Sequence, residues 1–318
     1  MTEPTLHFTP CEDAAGGHRM AWWQWGDATA SRVVVCVHGL TRQGRDFDEL
    51  AKALVVHAGG SVRVVCPDVV GRGQSDWLRD PAGYQIPVYA ADMLALLAQL
   101  HREQPIATLD YVGTSMGGLI GMVLAGNREL PLPAPIRRLV LNDVGPALDP
   151  DALRRIGAYV GQGGRYASMA DAAAALWSLS ATFGPHTSAQ WAELSRHMVA
   201  PSAQRNADGS GKVDADAAPG DGPFVLHYDP AIAVPLRAFT PESTAQAETV
   251  MWALYDAITA QTLLLRGAQS DLLRPATAAA MTQRGPRATL VEFEGVGHAP
   301  TLVVPDQYGA ITSFLFSP

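Results

Sequence analysis

The stretch Tyr111-Val112-Gly113-Thr114-Ser115-Met116-Gly117-Gly118 decides the fold, because it runs from an apolar strand through a very short turn into a helix. Residues 113–117 match the pattern G-x-S-x-G, which places a serine at the apex of a strained strand-to-helix turn. Glycine suits the flanking positions, where a Cβ would crowd the neighbouring backbone. The helix directs its free N–H groups and the positive end of its dipole toward the serine. Ser115 is therefore the candidate nucleophile.

Apolar, strand-like runs lie on both sides of this stretch and alternate with helical patterns. Continuous β-branched runs are typical of strands that are buried on both faces of a parallel sheet. The alternation predicts the α/β class, with a mainly parallel, doubly wound sheet. Ligands of such sheets bind at the carboxyl ends of the strands, where His38, Asp68, Ser115 and Asp143 fall. Two strands are predicted before Gly26, of which residues 20–25 are the clearer, and the other predicted core strands cover residues 32–37, 63–66, 109–112, 138–143, 262–267 and 289–293.

The alternation stops after Pro146, and helix-like stretches follow at 151–160, 168–179 and 189–198. We predict a core of residues 1–146 and 236–318, with a mostly helical cap (147–235) inserted after the sixth strand. Within the cap, residues 201–223 read as an exposed loop and residues 224–228 as a strand-like patch. The cap's large apolar side chains are interpreted as its own small core, with the lining of an apolar pocket as the alternative. They are Met169, Leu176, Trp177, Leu179, Phe183, Trp191 and Met198.

The composition indicates a compact globular protein, with 47% hydrophobic and 17% charged residues among 318. The net charge of -8 argues against nucleic acid or an anionic membrane as the main partner. We expect no membrane span, because no apolar run approaches ~20 residues. The N-terminus lacks the pattern of a secretion signal, which predicts a cytoplasmic location.

The three cysteines (Cys11, Cys36 and Cys66) have neither zinc-site nor disulfide spacing. Cys36 and Cys66 lie in strand-like runs and are expected to be buried. Motifs such as H-E-x-x-H and the phosphate-binding loop are absent from the sequence. The sequence therefore predicts neither a metal nor a cofactor.

A serine nucleophile needs a histidine as general base and a carboxylate to orient it. On a sheet of this kind the chain order is serine, acid, histidine. Of the nine histidines, His298 alone lies beyond the last strand that could carry the acid. Two carboxylates follow strands between Ser115 and His298. The sequence favours Asp271, one strand before His298, and Asp143 is the alternative acid.

A tetrahedral oxyanion needs two N–H donors that are already in position. One is expected from Met116, the residue after the nucleophile. The second is expected from the amide of Leu40, in the turn that follows His38 and Gly39. His38 itself is interpreted as a structural residue of that turn.

Together these segments resemble the α/β-hydrolase fold family, in its subgroup with a helical cap. The resemblance covers nearly the whole chain and implies a catalytic triad of Ser115, Asp271 and His298. The matching segments are residues 38–41, 68–75, 113–118, 142–146, 270–271 and 297–299.

Within that family the sequence is most similar to carboxylic ester hydrolases that need no cofactor. Serine at the apex excludes the branches with an aspartate nucleophile. The carbon–carbon bond hydrolases usually carry other residues at Thr114 and Ala299, and haloperoxidase-like relatives usually carry an aromatic at Leu40. We expect a small-molecule ester substrate of hydrophobic character, in a monomer or homodimer. Lactones, thioesters, amides and a carbon–carbon bond remain alternative substrates, and a non-catalytic binding module is the alternative from another class.

Overall fold

The computed structural model describes residues 3–202 and 223–317, and its main feature is an eight-stranded sheet. The strands of the described residues are β1 (Thr5–Asp13), β2 (Gly16–Gly26), β3 (Arg32–Val37), β4 (Arg63–Pro67), β5 (Thr108–Thr114), β6 (Ile136–Asn142), β7 (Arg165–Tyr166), β8 (Val199–Pro201), β9 (Phe224–Leu226), β10 (Gln261–Gly267) and β11 (Thr289–Phe293). The large sheet has the order β1-β2-β4-β3-β5-β6-β10-β11. From β4 to β11 every neighbouring pair is parallel, whereas β1 and β2 are antiparallel to each other and β2 to β4. The predicted mainly parallel sheet is confirmed.

Helices cover both faces of this sheet. They are α1 (Asp48–His57), α2 (Ile86–Glu103), α3 (Met116–Gly126), α4 (Pro150–Tyr159), α5 (Met169–Ser180), α6 (Ser188–Arg196), α7 (Ala233–Arg237), α8 (Pro241–Ala257), α9 (Pro275–Met281) and α10 (Pro305–Phe316). The alternation of side chains along β3 divides the core in two. Val33, Val35 and Val37 join the cluster that includes α2 and α3. Val34 and Cys36 join the cluster that includes α1 and α10, which makes the sheet doubly wound.

The prediction for the cysteines also holds. Cys36 and Cys66 are fully buried and free, as is Cys11 on the edge strand. Each contributes to the packing of an apolar cluster.

Helix α8 is longer than the pattern predicts, since only residues 250–258 carry an apolar helical period. It begins at Pro241 after Thr240, whose side chain forms a capping box with Ser243. The first two turns are largely exposed, so they lack the apolar stripe on which the prediction depends. The helix packs on α3 at Gly126, where a Cβ would lie 2.2 Å from the carbonyl of Leu254.

Between β6 and α8 the described chain forms the region that we call the cap. Helices α4, α5 and α6 correspond to the three predicted helical stretches, and β7, β9 and β8 form a small antiparallel sheet. A separate apolar cluster includes Leu176, Trp191 and Met198 of the cap together with Val303 of the core. The predicted loop 201–223 falls mostly on residues 203–222, which lie outside the described part of the chain.

Candidate active site

Ser115 lies between β5 and α3 in a strained conformation, with φ 52° and ψ −117°. The flanking glycines are required by close backbone contacts. A Cβ on Gly113 would lie 2.4 Å from the carbonyl oxygen of Gly117, and a Cβ on Gly117 would lie 2.0 Å from that of Val37. The strained turn exposes the serine hydroxyl at the carboxyl edge of the sheet, as the sequence predicts.

His298 follows β11 and reaches back across the strand ends to Ser115. Its Nε2 lies 3.0 Å from Ser115 Oγ, within hydrogen-bond distance. Its Nδ1 lies 2.7 Å from Asp143 Oδ2. Because an ionised carboxylate only accepts hydrogen bonds, this contact places the ring proton on Nδ1 and leaves Nε2 free to accept from the serine.

Asp143 is fully buried at the end of β6 and is held by the loop after β10. Gly267 N–H donates to Oδ1 at 3.0 Å, and Ser270 Oγ donates to Oδ2 at 2.6 Å. The residue has a left-handed conformation (φ 55°), and its own N–H donates to the carbonyl of Leu265 at 2.8 Å. These bonds compensate the cost of burying the carboxylate and fix its direction toward His298.

The sequence favours Asp271 as the acid beside His298, but the structure places Asp143 there, so this preference is wrong. Asp271 Oδ2 pairs with Arg155 of α4 at 2.5 Å, and its side chain is 53% exposed. The order of the strands gives the physical reason. β6 lies directly beside β5, whereas β10 is one strand further away. A histidine that contacts Ser115 at the end of β5 has its second nitrogen over β6, because neighbouring strands are only about 4.8 Å apart.

His38 holds the turn that carries Leu40. Its Nδ1–H donates to the carbonyl of Gly39 at 2.7 Å, and its Nε2 accepts from Val69 N–H at 2.9 Å. Burial lowers the pKa of His38 to about 3, so the ring is neutral. The turn is also joined to the elbow, since Gly117 N–H donates to the carbonyl of His38 at 3.1 Å.

The residues predicted to supply the oxyanion donors are Met116, directly after Ser115 in the chain, and Leu40, which lines the same cavity as Ser115. Met116 opens α3, and the first amides of a helix have no acceptor inside it. A Cβ on Gly39, which precedes Leu40, would be 3.6 Å from that of Ser115. The turn at Gly39 and Leu40 therefore lies against the turn that carries Ser115.

The sequence alone does not show that the side chain of Arg72, within the segment 68–75, is buried beside Leu40. Arg72 is fully buried, and its Nε donates to the carbonyl of Leu40 at 2.8 Å. Its Nη1 donates to Val70 at 2.7 Å and to Tyr89 Oη at 3.1 Å. The guanidinium faces the Tyr89 ring, 5.0 Å from its centroid. The one available signal is an arginine inside the glycine-rich segment 71–73, right after a buried strand.

A cavity of about 180 Å³ lies between these strand ends and the cap. Ser115 and His298 line its floor, and the cap contributes both apolar and polar side chains. Leu176, Phe183 and Met198 line it and also pack in the cap cluster, whereas Trp191 belongs to the cluster without lining the cavity. The two interpretations of the cap's apolar residues therefore apply together to the first three side chains. The side chain of Leu179 lies outside the described part of the structure.

Two groups of side chains in residues 3–202 and 223–317 could hold a metal ion. One is Cys11, His18 and Asp92, and the other is Asp48, Glu193 and His197. Neither group lines the cavity at Ser115. In the first group His18 Nε2 lies 3.1 Å from both oxygens of Asp92, and in the second Asp48 pairs with Arg45. Neither has a geometric connection to the chemistry at Ser115.

Comparison with known proteins decides the family. The family model described as the alpha/beta hydrolase fold matches residues 32–303. The chain belongs to the α/β hydrolase fold family.

This α/β hydrolase is also similar to individual members. It is 48% identical to a 3-hydroxybutyrate-oligomer hydrolase from Cupriavidus necator, over 98% of this chain and 97% of the relative. A solved α/β hydrolase from Novosphingobium aromaticivorans is 36% identical with a TM-score of 0.77, covering 99% of both chains. A hydrolase from Rickettsia typhi is 26% identical with a TM-score of 0.80, covering 100% of both. The predictions of the fold and of a hydrolase enzyme are confirmed.

Among the residues that the structure describes, no helix combines the length and the apolar character needed to cross a membrane.

Proposed function

We propose that this α/β hydrolase cleaves carboxylic esters through an acyl-enzyme on Ser115, and that its substrates are short oligomers of 3-hydroxybutyrate. The observation that carries the mechanism is the position of His298, whose ring nitrogens lie 3.0 Å from Ser115 Oγ and 2.7 Å from Asp143 Oδ2. This is the arrangement that activates a serine for attack on a carbonyl carbon. The substrate is supported by the 48% identity to a hydrolase named for such oligomers.

The acylation step follows from this geometry. Ser115 Oγ attacks the ester carbonyl carbon while His298 Nε2 takes the serine proton. The carbon–oxygen bond to the alcohol then breaks, and the alcohol leaves with the proton from His298. Water, deprotonated by the same nitrogen, attacks the acyl-enzyme and releases the acid and free Ser115.

The groups around Ser115 and His298 stabilise the charges that develop during the reaction. Asp143 keeps the Nδ1 proton in place and stabilises the imidazolium that forms, without taking the proton. The amides of Leu40 and Met116 donate to the oxyanion, a contribution of about 3 kcal/mol per donor in the transition state. Arg72 acts indirectly, because its hydrogen bond to the Leu40 carbonyl holds in place the residue whose N–H is the proposed donor.

The cavity supports a short substrate of mixed polarity. A 3-hydroxybutyrate oligomer is a chain of ester bonds with a methyl branch on each unit. Apolar side chains from the cap, such as Leu176 and Leu226, can pack on such branches. The cavity of about 180 Å³ places these side chains around the ester that Ser115 would attack.

The test is turnover of linear 3-hydroxybutyrate dimer and trimer, with the monomer quantified by mass spectrometry. A panel of 4-nitrophenyl butyrate, a lactone, a thioester and an anilide is run beside it, with a fluorophosphonate to label the nucleophile. The proposal expects monomer release, and adduct formation on Ser115 that trimer slows. Labelling at another residue would contradict the mechanism, and turnover of the panel without the oligomers would contradict the substrate. A chain that binds the oligomers and hydrolyses nothing would be a binding module.

A further inference from the structure

Two arginines line the cavity above Ser115 in the described part of the chain, and they differ in what surrounds them. The charge of Arg42 is neutralised by Asp46, four residues further along the chain. Its Nε lies 2.5 Å from Asp46 Oδ2, and its Nη2 lies 2.9 Å from Oδ1. Both side chains are mostly buried, at 13% and 16% exposure. A substrate cannot recruit Arg42 without breaking this bidentate pair.

Arg155 lies on cap helix α4, and within residues 3–202 and 223–317 its guanidinium has one hydrogen-bond partner. Its Nη2 lies 2.5 Å from Asp271 Oδ2, across the boundary between cap and core. Both partners are about half exposed, at 52% and 53%. An exposed ion pair with one hydrogen bond contributes little to the stability of the fold, because water and ions screen it. The rest of the guanidinium is therefore available to an anion that enters the cavity.

The neighbours of Arg155 in the cavity are suited to a carboxylate next to an apolar chain. Ile156 and Tyr159 of the same helix line the cavity, together with Gln162 after its end. Burial raises the pKa of Tyr159, so its phenol keeps its proton and can donate a hydrogen bond. Apolar side chains of the cap, among them Leu176 and Phe183, line the same cavity. One cavity thus contains a nucleophile on the floor and a cationic donor on the roof.

We propose that Arg155 binds the free carboxylate of the substrate and makes the enzyme selective for esters that carry an acid group. The inference rests on the proposed ester hydrolysis and adds the chemical class of its substrate. Each linear hydroxy-acid oligomer has one free carboxylate, which a planar guanidinium can bind with two hydrogen bonds. Asp271 is then a competitor that holds Arg155 in place when no substrate is bound, not a member of the triad.

The experiment compares 3-hydroxybutyrate trimer with its methyl ester, which differs only in the charge at the acid end. Wild type, Arg155→Gln and Arg155→Lys are assayed, with 4-nitrophenyl butyrate as a measure of general esterase activity. The matched control is Arg154→Gln, since Arg154 is the adjacent helix residue, is 78% exposed and does not line the cavity.

Arg155→Gln should lower the ratio of kcat/KM for the acid to that for the methyl ester roughly 10- to 100-fold, mainly through KM. Arg155→Lys should restore part of the ratio, and Arg154→Gln should leave it unchanged. An equal loss of kcat/KM on the acid and on the methyl ester, or no loss on either, would overturn the proposed role of Arg155 and leave the proposed ester hydrolysis intact. Turnover of 4-nitrophenyl butyrate with no cleavage of the trimer or its methyl ester would instead overturn the proposed substrate, and this inference with it.

Discussion

The carboxyl ends of the sheet and the cap above them hold their charged groups in different ways. On the sheet, Asp143 is fully buried and accepts hydrogen bonds from Gly267, Ser270 and His298. At the cap boundary, Asp271 is half exposed and pairs only with Arg155 among the described residues. Both carboxylates follow neighbouring parallel strands, so the strand ends alone do not decide their roles. Burial and hydrogen bonding thus distinguish the strand ends, to which we assign the chemistry, from the cap boundary, to which we assign the selection of the substrate.

The largest expected effect is the loss of activity on replacing His298, at the floor of the cavity. A histidine of the cap, His186, is replaced for comparison. His298→Ala removes the general base and should lower kcat on every ester by about 10⁶-fold. His186→Ala is the matched cap change, since the hydrogen-bond partners of the His186 ring among the described residues are the Gly184 carbonyl and Thr301 Oγ1, at 2.9 and 2.7 Å. It should cost less than about 10-fold. Steady-state rates with 4-nitrophenyl butyrate check both, and comparable losses in the two variants would remove the distinction between floor and cap.

A smaller effect is expected at Arg72, which contacts the floor from inside the core. Arg72→Met removes the bond to the Leu40 carbonyl and should lower kcat about 100-fold with little change in KM, as the loss of one oxyanion donor does. Arg19→Gln is the control. Arg19 lies at the surface and pairs with Asp76, which belongs to the same loop as Arg72. Thermal unfolding of each variant separates lost folding from lost catalysis. A rise in KM at constant kcat would show that Arg72 acts on substrate binding.

Features that depend on residues close together in the chain could be predicted from the sequence, whereas features that depend on distant residues could not. The elbow at Ser115 and the buried strands depend on neighbouring residues, so their patterns predict them well. The acid depends on the order β5-β6-β10, in which β6 and β10 are more than a hundred residues apart in the chain, so no local pattern reveals it. The role of Arg72 is equally non-local, since Leu40 and Tyr89 come from other elements. The triad and the oxyanion donors remain proposals that the experiments test.

The smallest predicted effect is a pH dependence of stability at His38. Burial lowers its folded pKa to about 3, below the ordinary value of 6.5, so the unfolded chain binds this proton first as pH falls. The stability due to His38 is therefore complete above about pH 6.5 and is lost progressively toward pH 3. Between about pH 7 and pH 5, the difference in unfolding free energy between wild type and His38→Gln should shrink by about 2 kcal/mol.

Asp68 titrates with the opposite sign, because burial raises its pKa to about 6. Its stabilising effect is complete below its ordinary pKa and is lost as pH rises through about 6. This contribution is common to wild type and His38→Gln, so the difference between them isolates His38. Denaturant unfolding at several pH values measures it, and parallel stability curves would mean that His38 titrates normally.

The most direct test of the account compares Asp143→Asn with Asp271→Asn on the neutral ester 4-nitrophenyl butyrate. If the buried floor orients His298, Asp143→Asn should lower kcat by about 10⁴-fold through the wrong imidazole tautomer. Asp271→Asn should stay within about threefold of wild type, since it breaks only an exposed pair. A larger loss in Asp271→Asn than in Asp143→Asn would contradict the assignment and place the working acid at the cap boundary.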